Sequence, residues 1–538
     1  MPRPDEQKSV VFDLVEGHGP EPAAGAARVH VDEDAGDVPG QGPGRRSRPR
    51  GLSRRTWVVA AAVVTAALLT VTAVDLVRDH RRAELMRTSS IGLTSLAEPP
   101  TETWTVPFDV LAGQGDVSFD QEVVTMGGLL VVPPSSAQHF WVDASTGGTE
   151  PRPTGFEDVV AIEPGSGEVA WRVPLGERPG CGPTGFDASA STDTLVCVHG
   201  PDDAREVLVI APDGTARTRS ADLATGEQLF AGPGGTVVRT VRTGEPVGTV
   251  ECDSSGECPP EAVAAGRDLL VTAEDAGTGV ERWASTVEFD QDFAHGCQAT
   301  YPSDTGSDTG PAIDPDAVTA RAAVELVYVD GCGVSATFSL PGARLDLAGD
   351  GTTPRWVDEL GSGRYAVDRS GMTTLVVDAA GEVVRTLDGS LRTDPSAPDA
   401  PDDIVFVTRP SGSGFEAVRE DGSVAWTERS ARDALLVGRD VVVVDRGNRL
   451  VGLDRTTGSE LWTAGAEDMA TMARLRTLTD GETVAAQYVP NDGAEGGMLV
   501  ALDLATGERL WDVPMAGRAL AVDGHLVEIT REGLRGLG

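Results

Sequence analysis

The chain has 538 residues, of which 40% are hydrophobic, and it contains 65 glycines and 35 prolines. This composition allows a large buried core that is interrupted by many turns. The formal net charge is −40 at pH 7, and a surface this acidic repels phosphate backbones. Nucleic acid is therefore excluded as a partner.

The N-terminal part of the chain predicts a tail and a membrane anchor. Residues 1–55 are rich in proline, glycine and acidic residues and end in RRSRPRGLSRR, which predicts a disordered cytoplasmic tail. Residues 57–74, WVVAAAVVTAALLTVTAV, carry no charge. As a helix they would extend about 27 Å, enough to cross a bilayer. We therefore expect a single transmembrane helix at 56–77.

The arginines before the apolar segment favour a cytoplasmic N-terminus. A cleaved signal peptide is an alternative, but its n-region would be 55 residues long and no cleavage site is evident. A buried soluble helix is a second alternative. The expected localisation is the plasma membrane, single-pass, with a juxtamembrane linker at 78–99. Residues 100–538 would then lie outside the cytoplasm as an ectodomain.

One short pattern recurs along this ectodomain. It is clearest in LVGLDRTTGSELW (450–462), LVALDLATGERLW (499–511) and VVAIEPGSGEVAW (159–171), and shorter copies are DLATGEQLF (222–230) and DAGTGVERW (275–283). In each copy an acid is followed after four residues by glycine, and after four more by an aromatic residue. The resulting triplets are Glu163, Gly167 and Trp171; Asp222, Gly226 and Phe230; Asp275, Gly279 and Trp283; Asp454, Gly458 and Trp462; and Asp503, Gly507 and Trp511.

The chemistry of these residue types predicts a strand, a turn and a second strand. The segment before the acid alternates and is rich in β-branched residues, as in a strand. The acid can accept hydrogen bonds from amides of the turn, and glycine permits a positive φ. The aromatic ring is too large for one hairpin to bury, so each unit must pack on the next, as in repeat proteins.

Weaker copies occur at 328–340, 374–387 and 415–426, the last ending in Trp426. Marker positions of the strong and weak copies fall near 171, 230, 283, 338, 387, 426, 462 and 511, roughly 35–60 residues apart, which suits four-stranded propeller blades. The strand ETWTVP around Trp104 is expected to pair with the last strands at 518–535 and close the ring. The predicted fold is all-β, a seven- or eight-bladed β-propeller of four-stranded blades.

The cysteines predict disulfides. All six lie after the predicted membrane helix, where disulfides persist: Cys181, Cys197, Cys252, Cys258, Cys297 and Cys332. They allow 15 pairings, of which we favour 181–197, 252–258 and 297–332. Zinc binding is the alternative, but no C-x-x-C motif or spaced histidine pair supports it. No metal site is predicted.

The repeat pattern, acid-x-x-[T/S]-G-x-x-x-W, resembles that of the pyrroloquinoline-quinone-like (PQQ-like) β-propellers. This group includes quinoprotein alcohol dehydrogenases and the outer-membrane assembly propeller lipoprotein. The resemblance is strong at 159–171, 450–462 and 499–511, and the predicted anchor makes this a membrane-anchored type. The use of arginine in place of lysine and the many alanines suggest a high-GC, actinobacterial source. It implies a propeller over residues 100–538.

The resemblance leaves two functions open. The family's dehydrogenases hold their quinone with a vicinal disulfide, calcium and an aspartate base, and this chain has no adjacent cysteines. Motifs for a serine hydrolase, a zinc protease or a P-loop are also lacking. We therefore predict a non-enzymatic binding or scaffold module in the cell envelope, with no cofactor and no catalytic residue. Its partner would be a cell-envelope protein or a polysaccharide. The alternative is a PQQ-dependent dehydrogenase with an atypical site.

Overall fold

The computed structural model divides the chain into two compact units, Met1–Thr70 and Val71–Gly538. All the residues it describes lie in the second unit. They are 80–107, 111, 123–134, 158–177, 179–183, 191–201, 204–252, 266–290, 312–347, 356–361, 363–369, 373–392, 396–401, 403–408, 414–447, 449–465, 472–490 and 497–538.

The prediction of a transmembrane helix needs correction. Within the described ranges, residues 80–107 include a short helix at 80–87, and no helix there is long and apolar enough to cross a bilayer. The predicted span at 56–77 and the tail at 1–55 lie outside those ranges. The expectations of a membrane-spanning helix and of a single-pass plasma-membrane localisation are therefore wrong for the part of the chain that the structure describes.

The described part of the second unit is built almost entirely from antiparallel strands. In chain order these are β1 (Glu102–Pro107), β2 (Val124–Met126), β3 (Leu129–Val132), β4 (Asp158–Ile162), β5 (Val169–Pro174), β6 (Gly180–Gly182), β7 (Leu195–His199), β8 (Glu206–Ile210), β9 (Ala216–Ser220), β10 (Glu227–Ala231), β11 (Thr236–Arg242), β12 (Val250–Glu251), β13 (Leu269–Asp275), β14 (Glu281–Val287), β15 (Ala312–Ile313), β16 (Val318–Ala322), β17 (Leu326–Gly331), β18 (Val334–Ser339), β19 (Val357–Gly361), β20 (Arg364–Arg369), β21 (Thr373–Asp378), β22 (Val383–Asp388), β23 (Ser390–Arg392), β24 (Ile404–Thr408), β25 (Phe415–Arg419), β26 (Val424–Glu428), β27 (Asp433–Val437), β28 (Val441–Asp445), β29 (Arg449–Asp454), β30 (Glu460–Gly465), β31 (Met472–Thr479), β32 (Thr483–Pro490), β33 (Gly497–Asp503), β34 (Arg509–Met515), β35 (Arg518–Val522), β36 (His525–Ile529) and β37 (Gly533–Leu537).

These strands form nine consecutive sheets, which we number in chain order. They are sheet 1 (β2, β3, β4, β5), sheet 2 (β6, β7, β8, β9), sheet 3 (β10, β11, β13, β14), sheet 4 (β16, β17, β18), sheet 5 (β19, β20, β21, β22), sheet 6 (β23, β24, β25, β26), sheet 7 (β27, β28, β29, β30), sheet 8 (β31, β32, β33, β34) and sheet 9 (β35, β36, β37, β1). In addition, β12 pairs with β15 in a small two-stranded sheet. The all-β fold is as predicted, and eight of these nine sheets have the predicted four strands, whereas sheet 4 has three among the described residues.

The sheets close into a ring because each one packs on the next. Nine hydrophobic clusters each combine buried residues from two consecutive sheets. In the last of these seams, Leu520 of sheet 9 packs with Leu130 of sheet 1. The described strands thus give nine blades rather than the seven or eight predicted.

The ring is closed by the N-terminal end of the unit, as the ETWTVP strand predicted. β1 pairs antiparallel with β37, with Thr105 opposite Arg535. The preceding segment, expected to be a linker, also contributes to the fold, since Leu93 and Leu96 are each only 2% exposed and pack with sheets 8 and 9. Residues 80–99 therefore serve as a structural strap across the last two sheets.

A recurring hydrogen bond joins neighbouring sheets. The indole Nε1 of Trp462 on sheet 7 donates to the Leu504 carbonyl of sheet 8 over 2.9 Å. The same ring lies over Gly507, where an added Cβ would stand 2.3 Å from a ring carbon. Glycine is needed at this position both for its φ of +71° and for the close approach of the indole.

The close approach leads to a stability prediction that separates these two roles of glycine. Gly226 has a similar φ of +82°, but an added Cβ there meets nothing within 4 Å. We expect Gly226→Ala to cost about 1 kcal/mol, the strain of a left-handed residue. Gly507→Ala should cost clearly more, because its methyl group overlaps the Trp462 ring. Urea unfolding of both variants measures this, and equal losses would contradict the ring contact.

The indole itself carries a second prediction. Trp511 is 7% exposed, and its Nε1 donates to the Leu96 carbonyl over 2.8 Å. Trp511→Ala should lower the free energy of unfolding by about 3–5 kcal/mol, the usual loss for a buried large aromatic residue. Trp356→Ala is the matched control, because Trp356 is 60% exposed and its loss should have little effect. Thermal or urea unfolding that shows equal losses would contradict this account of the seam.

Candidate binding site

Four of the five predicted repeat copies lie where a sheet's third strand turns into its fourth. Glu163, Asp275, Asp454 and Asp503 each begin such a turn, and their carbonyls accept the amides of Gly167, Gly279, Gly458 and Gly507. These glycines all have positive φ. The carboxylate Oδ1 of Asp503 accepts hydrogen bonds from the Ala505 amide and from both the amide and the hydroxyl of Thr506.

The aromatic residues of these copies, and Trp426, cross to the next sheet. Apart from Trp511, which donates to the Leu96 carbonyl, their indoles donate to the carbonyl of the second residue of the neighbouring turn, at 2.8–3.0 Å: Trp171 to Pro212, Trp283 to Leu340, Trp426 to Arg455 and Trp462 to Leu504. Trp104 does the same to Pro164 from sheet 9. These residues are structural.

The copy at 222–230 has a different place in the fold. Asp222 and Gly226 belong to the connection between β9 and β10, and Phe230 lies on the first strand of sheet 3. The true turn of sheet 2 is at 211–215. In that sheet Arg219 replaces the ring, and its Nε donates to the Ala276 carbonyl over 2.7 Å. At 222–230 the acid-glycine-aromatic spacing is therefore present, but it does not mark the turn between the third and fourth strands of a sheet as it does in the other copies.

The cysteines act as cross-links. Cys181 and Cys197 form a disulfide between β6 and β7, one of the three pairs favoured from the sequence. Cys252 and Cys332 are also disulfide-bonded, and Cys258 and Cys297 lie outside the described residues. The other two proposed pairings stay predictions. Across the part of the chain that the structure describes, no group of three or more histidine, cysteine or acidic residues is arranged to hold a metal ion.

An aromatic pair, one exposed ring on one half-buried ring, lies at the seam between sheets 4 and 5. Trp356 immediately precedes β19 and is 60% exposed, whereas the seam tryptophans are buried or half-buried. Its ring stacks on that of Tyr328 in β17, with centroids 6.5 Å apart and planes 29° apart. We call Tyr328, Trp356 and Asp358 the aromatic platform.

Hydrogen bonds hold the platform in a fixed orientation. The Trp356 Nε1 donates to Asp358 Oδ1 over 2.8 Å, and the Tyr328 hydroxyl donates to the Val357 carbonyl over 3.0 Å. The Arg321 guanidinium lies 4.9 Å from the centre of the Tyr328 ring, in a cation–π contact. A large, solvent-exposed indole that is already oriented loses little conformational freedom when a ligand binds.

The platform is surrounded by carboxylates. Burial raises the pKa of Asp358, and the neighbouring Asp368 raises it further, against the lowering effect of the Trp356 hydrogen bond. Burial likewise raises the pKa of Glu359, with a smaller contribution from Glu325. Acidic groups that repel one another at a half-buried position destabilise the fold, and such groups cluster at functional sites. This electrostatic environment makes the platform the candidate binding site.

Two other polar features of the described surface are less suitable as binding sites than the aromatic platform. Asp433 on β27 forms ion pairs with Arg392 of sheet 6 and Arg474 of sheet 8, so this carboxylate is already held between two cations. A shallow depression of about 400 Å³ on sheet 6 is lined by exposed turn residues, including Glu420 and Asp421. The Asp421 carboxylate is used within its own turn, where it accepts from Ser423.

The platform was not predicted from the sequence. Trp356 stands outside every repeat copy, and Tyr328 fell in a segment interpreted as a degenerate copy. That segment, 328–340, contains the hairpin between β17 and β18. The available signal was a tryptophan that did not fit the repeat spacing and stood two residues before an acid.

The closed series of nine antiparallel sheets, eight of them four-stranded and most of them joined by indoles, defines a β-propeller. Residues 353–532, which span sheets 5 to 8 and the first two strands of sheet 9, match the PQQ_2 family model, described as outer membrane protein assembly factor BamB. The predicted PQQ-like repeat is confirmed for this part of the chain. No curated protein matches the chain.

Several solved structures are similar to this chain. BamB from Moraxella catarrhalis is 11% identical, with a TM-score of 0.36 over 81% of this chain and 99% of that chain. Quinohemoprotein alcohol dehydrogenase from Comamonas testosteroni is 13% identical, with a TM-score of 0.33 over 82% and 76%. The computationally designed Ika8 protein is 14% identical, with a TM-score of 0.31 over 64% and 93%.

The raised pKa of Asp358 gives a pH-dependent prediction. The folded protein binds a proton at Asp358 more tightly than the unfolded chain does, so stability falls as pH rises through the usual aspartate range to the raised pKa. Asp358→Asn removes this loss and keeps an acceptor for Trp356. We expect a higher Tm than the parent at about pH 7, and no difference at about pH 3, where Asp358 is protonated in both states.

Asp275→Asn is a control with the opposite sign. The Arg282 guanidinium, together with Thr278, lowers the pKa of Asp275 to about 2. Its ionisation therefore stabilises the fold above the ordinary aspartate pKa, and this stability is lost as pH falls towards 2. Asp275→Asn should lower Tm near neutral pH. Thermal melts in which both variants shift in the same direction would contradict the assigned environments.

Proposed function

We propose that this protein is a non-enzymatic binding module, a propeller that holds a partner protein of the cell envelope at the aromatic platform. The observation that carries the proposal is Trp356, which is exposed and yet fixed by Tyr328 and Asp358. Rigid aromatic residues of this kind are enriched at the energetic centres of protein interfaces. The rest of the ring serves as a stable scaffold for this surface.

Two further observations support an envelope setting. The Cys181–Cys197 disulfide is typical of proteins that function in oxidising compartments. The family model that matches residues 353–532 is described as an outer membrane protein assembly factor, which favours a binding or assembly role over catalysis. A polysaccharide partner, the alternative expected from the sequence, is an outcome that a capture experiment distinguishes.

A capture experiment tests the binding role. A photoreactive residue introduced at position 356 should cross-link a discrete protein in envelope extracts of the source organism. The control places the same residue at Val384, which is 61% exposed on the fourth strand of sheet 5. Capture that is equal at both positions, or capture of glycan alone, would contradict a protein partner at the platform.

The dehydrogenase alternative can be tested directly. We expect that pyrroloquinoline quinone and calcium added to the purified chain give no stoichiometric bound quinone and no dye reduction with alcohols. Absorbance spectra after desalting measure bound quinone, and dye decolourisation measures turnover. A quinone retained at one per chain together with turnover would overturn the non-enzymatic function.

A further inference from the structure

The platform combines an open aromatic face with an excess of negative charge. Four carboxylates lie in or around it. Asp358 is within electrostatic reach of Asp368, Glu359 is within reach of Glu325, and both Asp358 and Glu359 act on the Tyr328 hydroxyl of the platform. The nearby cation, Arg321, acts on Tyr328 rather than on these acids. The local field therefore attracts a positive charge, as does the net charge of −40 of the whole chain.

The chemistry of the two ligand-facing groups specifies the kind of cation. The face of an indole is the strongest aromatic partner for a cation. Beside it, Asp358 Oδ1 accepts from Trp356, while Oδ2 has no hydrogen-bond partner among the residues that the structure describes. A planar guanidinium can stack on an indole and donate an N–H to an adjacent carboxylate at the same time, which a compact ammonium does less well.

The chain already shows the same chemistry in its own contacts. Arg321 lies over the ring of Tyr328, the other member of the stack. At the seam between sheets 2 and 3, Arg219 takes the place of an indole and pairs with the buried Glu274 over 3.0 Å. Guanidinium groups are thus compatible with both the aromatic and the acidic components of this fold.

We propose that the aromatic platform binds an arginine side chain of the partner polypeptide, stacked on Trp356 and hydrogen-bonded to Asp358. This inference rests on the proposed function and adds the chemical class of the partner's contact. A basic segment would approach an acidic propeller with favourable long-range attraction. The stacked and hydrogen-bonded contact would then discriminate arginine from other cations.

The test uses the full chain and three fluorescein-labelled decapeptides of glycine and serine. They differ only in two central residues, which are arginine, lysine or citrulline. Citrulline keeps the shape of arginine and loses its charge. Fluorescence anisotropy is recorded at about 0.15 M ionic strength, where attraction between distant exposed charges is largely screened.

The arginine peptide should bind more tightly than the lysine peptide, and the citrulline peptide should bind at least tenfold more weakly than the arginine peptide. Trp356→Ala and Asp358→Asn should each weaken the arginine peptide by about fivefold, the scale of an exposed cation–π or charge-assisted contact. Two controls should stay within about twofold of the parent: Val384→Ala, for an exposed apolar residue of sheet 5, and Glu168→Gln, for an exposed acid of sheet 1. Thermal melts confirm that each variant is folded.

Several outcomes overturn the inference. They are no binding of the arginine peptide, equal binding of the arginine and citrulline peptides, equal binding of the lysine peptide, or unchanged affinity in Trp356→Ala. If Glu168→Gln weakens binding of the arginine peptide as much as Asp358→Asn does, the peptide is attracted to the overall negative charge alone. If the peptides do not bind but photo-capture at position 356 yields a protein, the proposed binding function stands and the inference that the platform binds arginine is wrong. If both fail, the proposed function falls as well.

Discussion

The ring depends on one repeated contact, a side-chain donor that crosses each seam to a backbone carbonyl. In eight of the nine seams this carbonyl belongs to a turn of the next sheet, and in the ninth it belongs to the strap. Six of the nine donors are indoles, those of Trp104, Trp171, Trp283, Trp426, Trp462 and Trp511. An indole both donates a directional hydrogen bond and buries a large apolar area. It therefore sets the spacing of two sheets and excludes water from the seam in a single interaction.

The acceptor of this cross-seam hydrogen bond varies less from seam to seam than the donor does. In seven seams it is the carbonyl of the second residue of the turn, and these include the seam between sheets 4 and 5, where the Ser339 hydroxyl donates to the Ala379 carbonyl over 2.7 Å. At the seam between sheets 8 and 9 the third-to-fourth strand turn is absent, because sheet 9 is completed by the N-terminal β1. The Leu96 carbonyl takes its place and accepts from Trp511. The strap is thus a substitute turn, supplied from the other end of the unit.

This distribution explains what the sequence could and could not predict. The acid, the positive-φ glycine and the ring act locally in the turn, so copies such as 450–462 and 499–511 could be recognised from spacing alone. The closing strand was also predictable, since Trp104 lies in an alternating segment. The number of blades was not predictable, because Arg219, Ser339 and Arg385 replace aromatic rings as donors at three seams, and these residue types carry no repeat signal.

The apparent copy at 222–230 reproduced the spacing in a connection between sheets. The platform depends on Tyr328 and Trp356, which are 28 residues apart and meet only after folding.

The seam between sheets 4 and 5 differs from the others in how it uses its aromatic residues. A short serine side chain makes the cross-seam hydrogen bond, and the buried space is filled by residues such as Tyr365 and Leu326. Tyr328 and Trp356 are therefore not needed as the cross-seam donor, and Trp356 is left on the surface at a cost in exposed apolar area. Burial and like charge also raise the pKa of Asp358 beside it. A fold that keeps both an exposed indole and an unfavourable carboxylate at one place retains two features that do not help its own stability. A cation from another molecule would satisfy both at once, because it covers the indole and neutralises the acid.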